Sequence, residues 1–424
     1  MKEDFLQYLW KHKIVPQVST LTSGQNLVIH SFGTPNRLSG ADFFNAQLQI
    51  DEQLWAGNVE LHVKSSYWYA HRHEQDPAYQ NVILHVVWEH DVEVFDCNQR
   101  PIPTLELRHV IDQNIVKRYE ILFSKSPHSF INCDKNYKKV QEYISFSWNE
   151  RLFVERLEQK SFLIDKLLTE SHSDWEKVLF LMLLKSFGGT VNGENFLNIG
   201  KTIDFSIIRK EKNNPLYVEA LLFGQGQLLS KPTEGTYFQT LLANYDYLKR
   251  KYNLKNNNLH LEFSKLRPQG FPTIRLSQLG QVYEKNEGLF SKIIETKDIQ
   301  QLKTVLTVET SPFWETHYTF GKTSKKVKKK ISNSLIELIW INVILPVKYI
   351  YFKYLGKDIS EELMESLRQM KPEKNTIIDH FENIGAYPTS AFDTQILLQQ
   401  YNQYCKEKKC LNCAVGISLL KEEK

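Results

Sequence analysis

The chain of 424 residues has only five cysteines, and three of them, Cys405, Cys410 and Cys413, lie close together near the C-terminus. So few cysteines argue against a disulfide framework and favour a reduced protein. The segment after Met1, KEDFLQYLWKH, lacks a basic start followed by an unbroken apolar stretch, so we expect no secretory signal. A cytoplasmic location follows as the expectation.

Long uninterrupted hydrophobic runs are also missing. The most apolar segment, Leu335 to Phe352, contains Glu337, Asn342, Pro346 and Lys348. A membrane-spanning helix tolerates such residues poorly. We therefore predict a buried helix that is kinked near Pro346, and no membrane partner.

Strong net charge is absent, since 53 Lys and Arg against 49 Asp and Glu give +4. The stretch from Lys322 to Lys330 alone holds six lysines, and removing them from +4 leaves −2 for the rest of the chain. Binding to a polyanion would therefore be local. Lys326 and Lys329 are the candidate phosphate contacts in this stretch, although a solvated loop is the alternative.

The composition, with 42% hydrophobic and 24% charged residues, is that of a folded globular protein with at least two cores. After a helix over Phe5 to Lys11, apolar residues alternate with period two through about residue 110, which predicts five or six strands. From about Lys138 the period becomes that of helices. We predict an α+β protein, with a mixed α/β domain over residues 1–125 and a larger all-α domain over residues 138–424.

One helix boundary is signalled strongly. Ser173 to Glu176 has the pattern of a capping box before the apolar run VLFLMLLKSF. Gly188 and Gly189 follow and predict the end of that helix.

The densest group of chemically active side chains lies between Gly40 and Asp91. Four of the thirteen histidines fall within 24 residues here, at positions 62, 71, 73 and 85. Carboxylates suit Mg²⁺ or Mn²⁺, and neutral imidazoles favour transition metals. We predict a metal site with Asp42, Glu60 and His62 as ligands. An ordinary polar strand face with surface histidines is the alternative.

Three ionisable residues, Glu60, His62 and Lys64, alternate along one predicted strand and therefore share a face. The following loop offers His71 and His73, which could serve as ligands or as a general acid. His85 interrupts the apolar strand VILHVV, where it is either directed at the same site or a neutral core histidine.

Two further features could contribute to binding. Arg267 and Arg275 flank a proline-bounded turn, where they could anchor phosphates or pair with carboxylates.

The spacing of Cys405, Cys410 and Cys413 could support zinc or an iron–sulfur cluster, which normally requires four ligands. Cys97, Cys133 or His380 would have to supply the fourth. Three reduced cysteines in a basic tail are the alternative.

The run from Gly40 to Asp91 resembles the signature of an uncharacterised bacterial family, a domain of unknown function. The resemblance extends to RPQGFPTIRLSQL, from Arg267 to Leu279, and to YCKEKKCLNCAVG, from Tyr404 to Gly416. It covers nearly the whole chain, and it implies kinship without an activity.

Asp42, followed by a predicted hairpin and then by Glu60-x-His62-x-Lys64, is also similar to the Asp…(Asp/Glu)-x-Lys core of the restriction-endonuclease-like nucleases. That resemblance implies that the acidic pair holds a metal and that a lysine assists the attacking water. The position two residues after Glu60 holds His62 rather than lysine. Some members of that superfamily bind an iron–sulfur cluster through C-terminal cysteines.

These observations lead to a functional hypothesis of a metal-dependent phosphodiesterase acting on DNA or RNA. Asp42 and Glu60 would hold the metal, His62 or Lys64 would position water, and His71 or His73 would assist. Two alternatives stay open: a non-catalytic nucleic-acid or partner-binding protein on a degenerate nuclease scaffold, and a hydrolase of small phosphorylated or acyl substrates.

Overall fold

A mixed β-sheet forms the N-terminal part of the chain in the computed structural model, which describes residues 1–36, 38–124, 129–141, 144–255 and 259–421. Its strands are β1 (Val18–Thr20), β2 (Asn26–Ser31), β3 (Thr34–Pro35), β4 (Phe43–Ile50), β5 (Gln53–Lys64), β6 (Val82–Glu89) and β7 (Thr104–Glu106). The spatial order is β1-β2-β4-β5-β6-β7, and β3 pairs with β4.

The sheet changes from antiparallel to parallel at β5. Strands β4 and β5 form a tight antiparallel hairpin, in which Ile50 lies opposite Gln53. Strand β6 then runs parallel to β5, and β7 runs parallel to β6. Parallel strands need a crossover connection, and here residues 65–81 supply it. The first six residues of β6 are all buried, as expected for a strand covered on both faces.

Helix α1 (Glu3–Lys11) packs against β5 through one apolar face, on which Phe5, Leu6, Leu9 and Trp10 are fully buried. Burial of these side chains supplies the hydrophobic free energy that holds the helix to the sheet. The same helix presents Glu3 and Gln7 on a neighbouring stripe, one helical turn apart.

The remaining helices follow in chain order. They are α2 (Tyr67–Ala70), α3 (Gln113–Phe123), α4 (Tyr137–Gln141), α5 (Phe146–Glu170), α6 (Trp175–Lys201), α7 (Phe205–Glu211), α8 (Tyr217–Gln225), α9 (Thr236–Lys251), α10 (Pro272–Lys285), α11 (Leu289–Glu295), α12 (Ile299–Leu306), α13 (Asn333–Ile339), α14 (Leu345–Tyr354), α15 (Ser360–Arg368), α16 (Thr376–Asn383), α17 (Ala391–Gln400) and α18 (Ala414–Lys421). Two short strands, β8 (His317–Thr319) and β9 (Lys322–Thr323), pair within this helical part. The α+β class expected from the sequence is confirmed.

The chain forms two compact units that are not contiguous in sequence. The first contains Met1–Trp148, Asn375–Tyr387 and Gln400–Lys424, and the second contains Asn149–Lys374 and Pro388–Gln399. The contiguous division expected from the sequence differs from this arrangement, because segments near the C-terminus pack with helices α1, α3 and α4 of the first unit. The expected boundary at residue 125 lies outside the described residues.

Helix α6 departs from its sequence-based prediction at both ends. Its N-terminal cap is Asp174, whose carboxylate accepts a hydrogen bond from the Lys177 amide, and not Ser173. The helical segment also continues past the expected stop, because the chain turns at Gly189 (φ 60°, ψ −154°) and then resumes a helix to Lys201. A glycine pair therefore produces a kink here rather than an end.

The apolar segment around Pro346 forms a helix with a local irregularity. Helices α13 and α14 are joined by a single π turn over Trp340–Ile344, directly before the proline. Within the described residues, the segment Asn333–Tyr354 is long and apolar enough to cross a membrane, and 67% of its most apolar window is buried inside the fold. Mostly buried core helices meet the same criterion.

The polar residues of this segment have partners inside the fold. Lys348 Nζ donates to the carbonyl oxygens of Ile294 and Thr296, and Asn342 Oδ1 accepts from Lys160 Nζ at 2.8 Å. These contacts explain how an apolar helix can contain a lysine and an amide, since buried polar groups require hydrogen bonds.

The capping assignment can be tested by two neighbouring substitutions. Asp174→Ala removes the cap of α6 and the ion pair with Arg209, so we expect the free energy of unfolding to fall by about 1–2 kcal/mol. Ser173→Ala is the matched control and should change it by less than about 0.5 kcal/mol. Chemical denaturation monitored by circular dichroism measures both values, and the reverse ranking would contradict the assignment.

Candidate metal centre

Six of the ionisable residues between Gly40 and Asp91 lie close together within the first compact unit. Asp42 directly precedes β4, Glu60 and His62 lie on β5, and His85 lies on β6 opposite Glu60. The loop after α2 adds His71 and His73. The central strand therefore brings together side chains that come from three separate segments.

The two carboxylates are linked through the backbone. The Asp42 amide donates to Glu60 Oε2 at 3.0 Å, and the Leu61 amide donates to Asp42 Oδ2 at 3.1 Å. The other Asp42 oxygen accepts from Gln7 Nε2 of helix α1 at 2.7 Å. Both side chains are thereby held in fixed orientations.

His62 occupies the centre of a chain of imidazoles. Its Nδ1 lies 2.8 Å from His85 Nε2, and its Nε2 lies 3.1 Å from His71 Nδ1. The ring is 1% exposed and that of His85 is fully buried. If Nδ1 of His62 carries the proton and donates to His85, Nε2 directs its lone pair towards His71 and could bind an ion there, which is how histidines that bind metals are usually oriented.

His73 completes the cluster from the loop side. Its Nε2 lies 3.4 Å from Glu60 Oε1, and the same oxygen lies 3.6 Å from His62 Nε2. Arg72, between the two loop histidines, adopts a left-handed conformation (φ 61°) that turns the chain there. One nitrogen of each of His62, His71 and His73 lies within 4.8 Å of the others.

Burial raises the pKa of both carboxyl groups. The pKa of Asp42 rises to about 7, because the group is desolvated and lies near Glu60 and Glu3. Desolvation raises the pKa of Glu60 to about 8, and Glu3 adds to the effect. Among the described residues, no lysine or arginine forms an ion pair with either group. The pair therefore lacks the positive charge that would keep both carboxylates ionised.

Burial has the opposite effect on the imidazoles, whose charged form is the protonated one. Desolvation, with the neighbouring histidines, lowers the pKa of His62 to about 2, and desolvation lowers that of His85 to about 3. The pKa of His73 is also lowered, mainly by desolvation. Neutral imidazoles at physiological pH are the form in which histidine binds metals.

This donor set fits a divalent transition metal. It offers imidazole nitrogens of His62, His71 and His73. The Glu60 carboxylate lies beside two of them, 3.6 Å from His62 and 3.4 Å from His73. Imidazole ligands favour ions such as Mn²⁺ or Zn²⁺ over Mg²⁺. Within the described part of the chain, the buried Nδ1 of His85 has no hydrogen-bond partner. A buried polar atom without a partner costs folding free energy.

Three residues of this site were not identified from the sequence. Glu3 and Gln7 approach it from helix α1, and Tyr79 stacks on His73 with ring centroids 3.7 Å apart. Desolvation and the nearby carboxylates raise the pKa of Tyr79 to about 12, so its hydroxyl stays protonated. The spacing of Glu3 and Gln7 at i and i+4 is a signal that could have indicated a polar stripe facing the sheet.

Lys64 lies on the same strand face but pairs with a different group. Its Nζ lies 3.4 Å from Glu89 Oε1, and both side chains are about two-fifths exposed. Among the described residues, no hydrogen bond or ion pair joins Lys64 to the histidine cluster. The catalytic role of Lys64 stays a prediction.

The predicted phosphate contacts lie in the second compact unit, and one of them is unsuitable. Lys329 is 3% exposed and donates to the carbonyl oxygens of Trp314 and Glu315, so it is not available to bind a phosphate. Lys326 is exposed and lies 3.5 Å from Glu315. Arg267 is exposed, whereas Arg275 is partly buried and donates to Gln278.

Most of the lysine-rich stretch is an exposed loop, but some of its lysines form ion pairs. Lys328 and Lys330 both pair with Glu309, at 3.0 and 3.3 Å. These ion pairs reduce the positive potential that the sequence suggested.

The three C-terminal cysteines meet a fourth from the middle of the first unit. Cys405, Cys410 and Cys413 line one cavity together with Cys133. Of the candidates for a fourth ligand considered from the sequence, this is the one that the fold brings to the others.

The chain belongs to a family described as a protein of unknown function (DUF2851), whose model matches residues 3–376. This match confirms the family resemblance over most of the chain and ends before Tyr404 to Gly416, where a further resemblance was expected. No curated protein and no solved structure matches the chain.

The raised pKa of Glu60 predicts a pH-dependent effect on stability in protein treated with a chelator. A carboxyl group whose pKa is raised by folding destabilises the fold as the pH rises above its unfolded value of about 4.3. Glu60→Gln removes this cost, so we expect the variant to be more stable than the wild type at pH about 8, by about 1–3 kcal/mol, and much less so at pH about 5. Denaturant unfolding at the two pH values measures the difference.

Glu89→Gln is the matched control, because this glutamate lies on the neighbouring strand and is two-fifths exposed. It should show no comparable gain at the higher pH. An equal gain in both variants, or none in Glu60→Gln, would contradict the assignment.

Proposed function

We propose that this protein is a metal-dependent phosphodiesterase that acts on nucleic acids. The observation that carries the proposal is the meeting of the Glu60 carboxylate with His62 and His73, beside Asp42 and away from any described lysine or arginine partner. Ionisable groups with strongly shifted pKa values in one cluster are typical of functional sites.

The residues that would hold the ion are Glu60, His62, His71 and His73, with Asp42 as a further carboxylate. A divalent ion bound there would lower the pKa of a bound water and offset charge on a phosphoryl oxygen. Of the two ions expected from the sequence, the imidazole-rich donor set favours Mn²⁺ over Mg²⁺.

The protein groups around these ligands have distinct tasks in this proposal. His85 accepts the Nδ1 proton of His62 in a hydrogen bond and so directs Nε2 towards the site. Gln7 and the Leu61 amide hold both oxygens of Asp42. The exposed His71 lies at the solvent side, where a substrate and water can enter.

The order of the residues along the chain supports phosphodiester chemistry. Asp42 enters the first strand of a hairpin and Glu60-x-His62 lies on the second, as in the restriction-endonuclease-like nucleases that the sequence resembles. His62 stands in the place of the usual lysine. Because its imidazole is neutral and faces the carboxylate, it contributes a ligand nitrogen instead of a positive charge.

Cleavage assays with purified protein test the proposal. We expect the wild type to cleave single- or double-stranded DNA or RNA in the presence of Mn²⁺, and Asp42→Ala/Glu60→Ala to lose this activity by at least about a hundredfold. Glu89→Gln, outside the cluster, should retain it. Equal cleavage by the wild type and the double variant would show a contaminant or the wrong site.

One observation favours a second candidate function, a nucleic-acid or partner-binding protein on a degenerate nuclease scaffold. Lys64, the lysine that follows His62 on the same strand, is paired with Glu89. A site without that lysine could retain its shape after losing catalysis.

Lys64→Ala tests whether this lysine takes part in the chemistry, and a binding assay separates the two candidates. If the histidine cluster performs the chemistry, the variant should cleave within about twofold of the wild type, because Lys64 is not part of it. Fluorescence polarisation with labelled oligonucleotides in a chelator gives the complementary measurement. Tight binding without cleavage under any metal condition would support the binding protein and contradict the enzyme.

A further inference from the structure

Four of the five cysteines surround one cavity in the first compact unit. Cys133, Cys405, Cys410 and Cys413 line it, together with Leu122, Ile131, Asn132, Tyr404 and Gly416. The cysteines all have free thiols. The fold has thus collected cysteines from segments more than 250 residues apart, as the contact of Asn132 with Cys410 over 278 positions shows.

Local structure directs the three C-terminal cysteines to the same place. Cys405 ends a π turn over Tyr401–Cys405, Cys410 begins a 3₁₀ turn over Cys410–Asn412, and Cys413 precedes α18. A Cβ atom on Gly416 would lie 2.1 Å from the Cys410 carbonyl oxygen, so only glycine permits this close approach. The first turn of α18 therefore folds closely over the cysteine turn.

Hydrogen-bond donors point at the sulfur atoms. Asn132 Nδ2 donates to Cys410 Sγ at 3.6 Å. The backbone amides of Val415 and Gly416 donate to Cys413. Donors of this kind stabilise thiolate ligands and adjust the properties of the metal group that they bind.

The surroundings do not suit a reactive thiol. Cys133, Cys410 and Cys413 are buried, and Cys405 is only partly exposed. Reactive cysteines lie in partly exposed sites with positive neighbours. Buried sulfur atoms gathered around one cavity suit a structural role instead, which a group bound by all four would fill.

The spacing of the sulfur atoms distinguishes a single ion from a larger group. Four thiolates on one zinc ion lie about 3.8 Å apart, given Zn–S bonds of about 2.3 Å in a tetrahedron. Among the described residues, the group with three or more donor atoms within 4.8 Å of one another is the histidine cluster, and the cysteines do not meet that limit. In an iron–sulfur cluster the ligand sulfurs bind different iron atoms and stand further apart.

We propose that Cys133, Cys405, Cys410 and Cys413 bind an iron–sulfur cluster that links the C-terminal segment to the segment of Cys133 within the first compact unit. This adds Cys133 as the fourth ligand to the three cysteines whose spacing suggested a metal site. The cluster site is independent of the histidine site.

Metal analysis of the full-length protein, expressed with iron and purified without oxygen, tests the proposal. We expect iron and acid-labile sulfide in equal amounts, a brown protein with visible absorption, and zinc at background level. One zinc per chain in place of iron, or neither metal, would overturn it.

Single substitutions identify the ligands. Cys133→Ser and Cys413→Ser should each lower the iron and sulfide content at least about tenfold, whereas Cys97→Ser, an exposed cysteine of the same unit, should leave both unchanged. Iron retained in full by Cys133→Ser would overturn the assignment of the fourth ligand.

Alkylation of the wild type provides a measurement that does not depend on the folding of variants. Before cluster removal, Cys97 should react and the other four cysteines should be protected, and oxidative removal of the iron in denaturant should expose all five. Rapid alkylation of Cys133 in the iron-loaded protein would overturn the proposal. Either result is independent of whether the histidine site cleaves nucleic acid.

Discussion

The close contact of His62 with Glu60 and its hydrogen bond with His85, across two parallel strands, form the interaction on which the rest of the site depends. Strands β5 and β6 lie in the interior of the sheet, and their neighbours along the chain are mostly aliphatic. Three ionisable groups in such surroundings cost folding free energy unless they are neutral and paired. The shifted pKa values show how the protein reduces this cost, by keeping the imidazoles uncharged and by favouring protonation of the carboxyl groups.

A site built in this way has little freedom to move. Glu60 and His85 lie opposite each other in the parallel register, and His62 lies one step further along β5 on the same face. The loop that carries His71 and His73 is more exposed. The strand residues Glu60, His62 and His85 therefore form the buried side of the site, and the loop residues form the side open to solvent. The strands fix the positions of the ionisable side chains, and the exposed loop leaves the site open to solvent.

Sequence reasoning identified five members of the cluster and did not identify the surrounding residues. The alternation along β5 was sufficient to place Glu60 and His62 on one face, and the unusual density of histidines drew attention to the loop. Their proposed roles stay predictions. Glu3 and Gln7 were missed because the packing of α1 onto β5 is a tertiary contact, which no local pattern contains. The same limit applies to Lys64, because its partner Glu89 lies on a strand that pairs with β5 only after folding.

The fold class followed from the change of hydrophobic period, whereas several details did not. The segment VEVFD has the composition of a strand, yet the structure gives it one isolated bridge, between Phe95 and Pro101. Gly188 and Gly189 indicated a helix end, but helix packing carried the chain through a kink. Local propensities are weak compared with the burial that tertiary contacts provide.

The composition of the first compact unit has a consequence for the order of events during synthesis. The residues that complete it, Gln400–Lys424, are translated after nearly all of the second unit. The strands can begin to pair while the ribosome is still extending the chain, but the side of the cysteine cavity that contains Cys410 forms only after these last residues have been synthesised. A nascent chain therefore carries Cys133 without the other three cysteines for most of its translation, and completion of the cavity is among the last steps of folding.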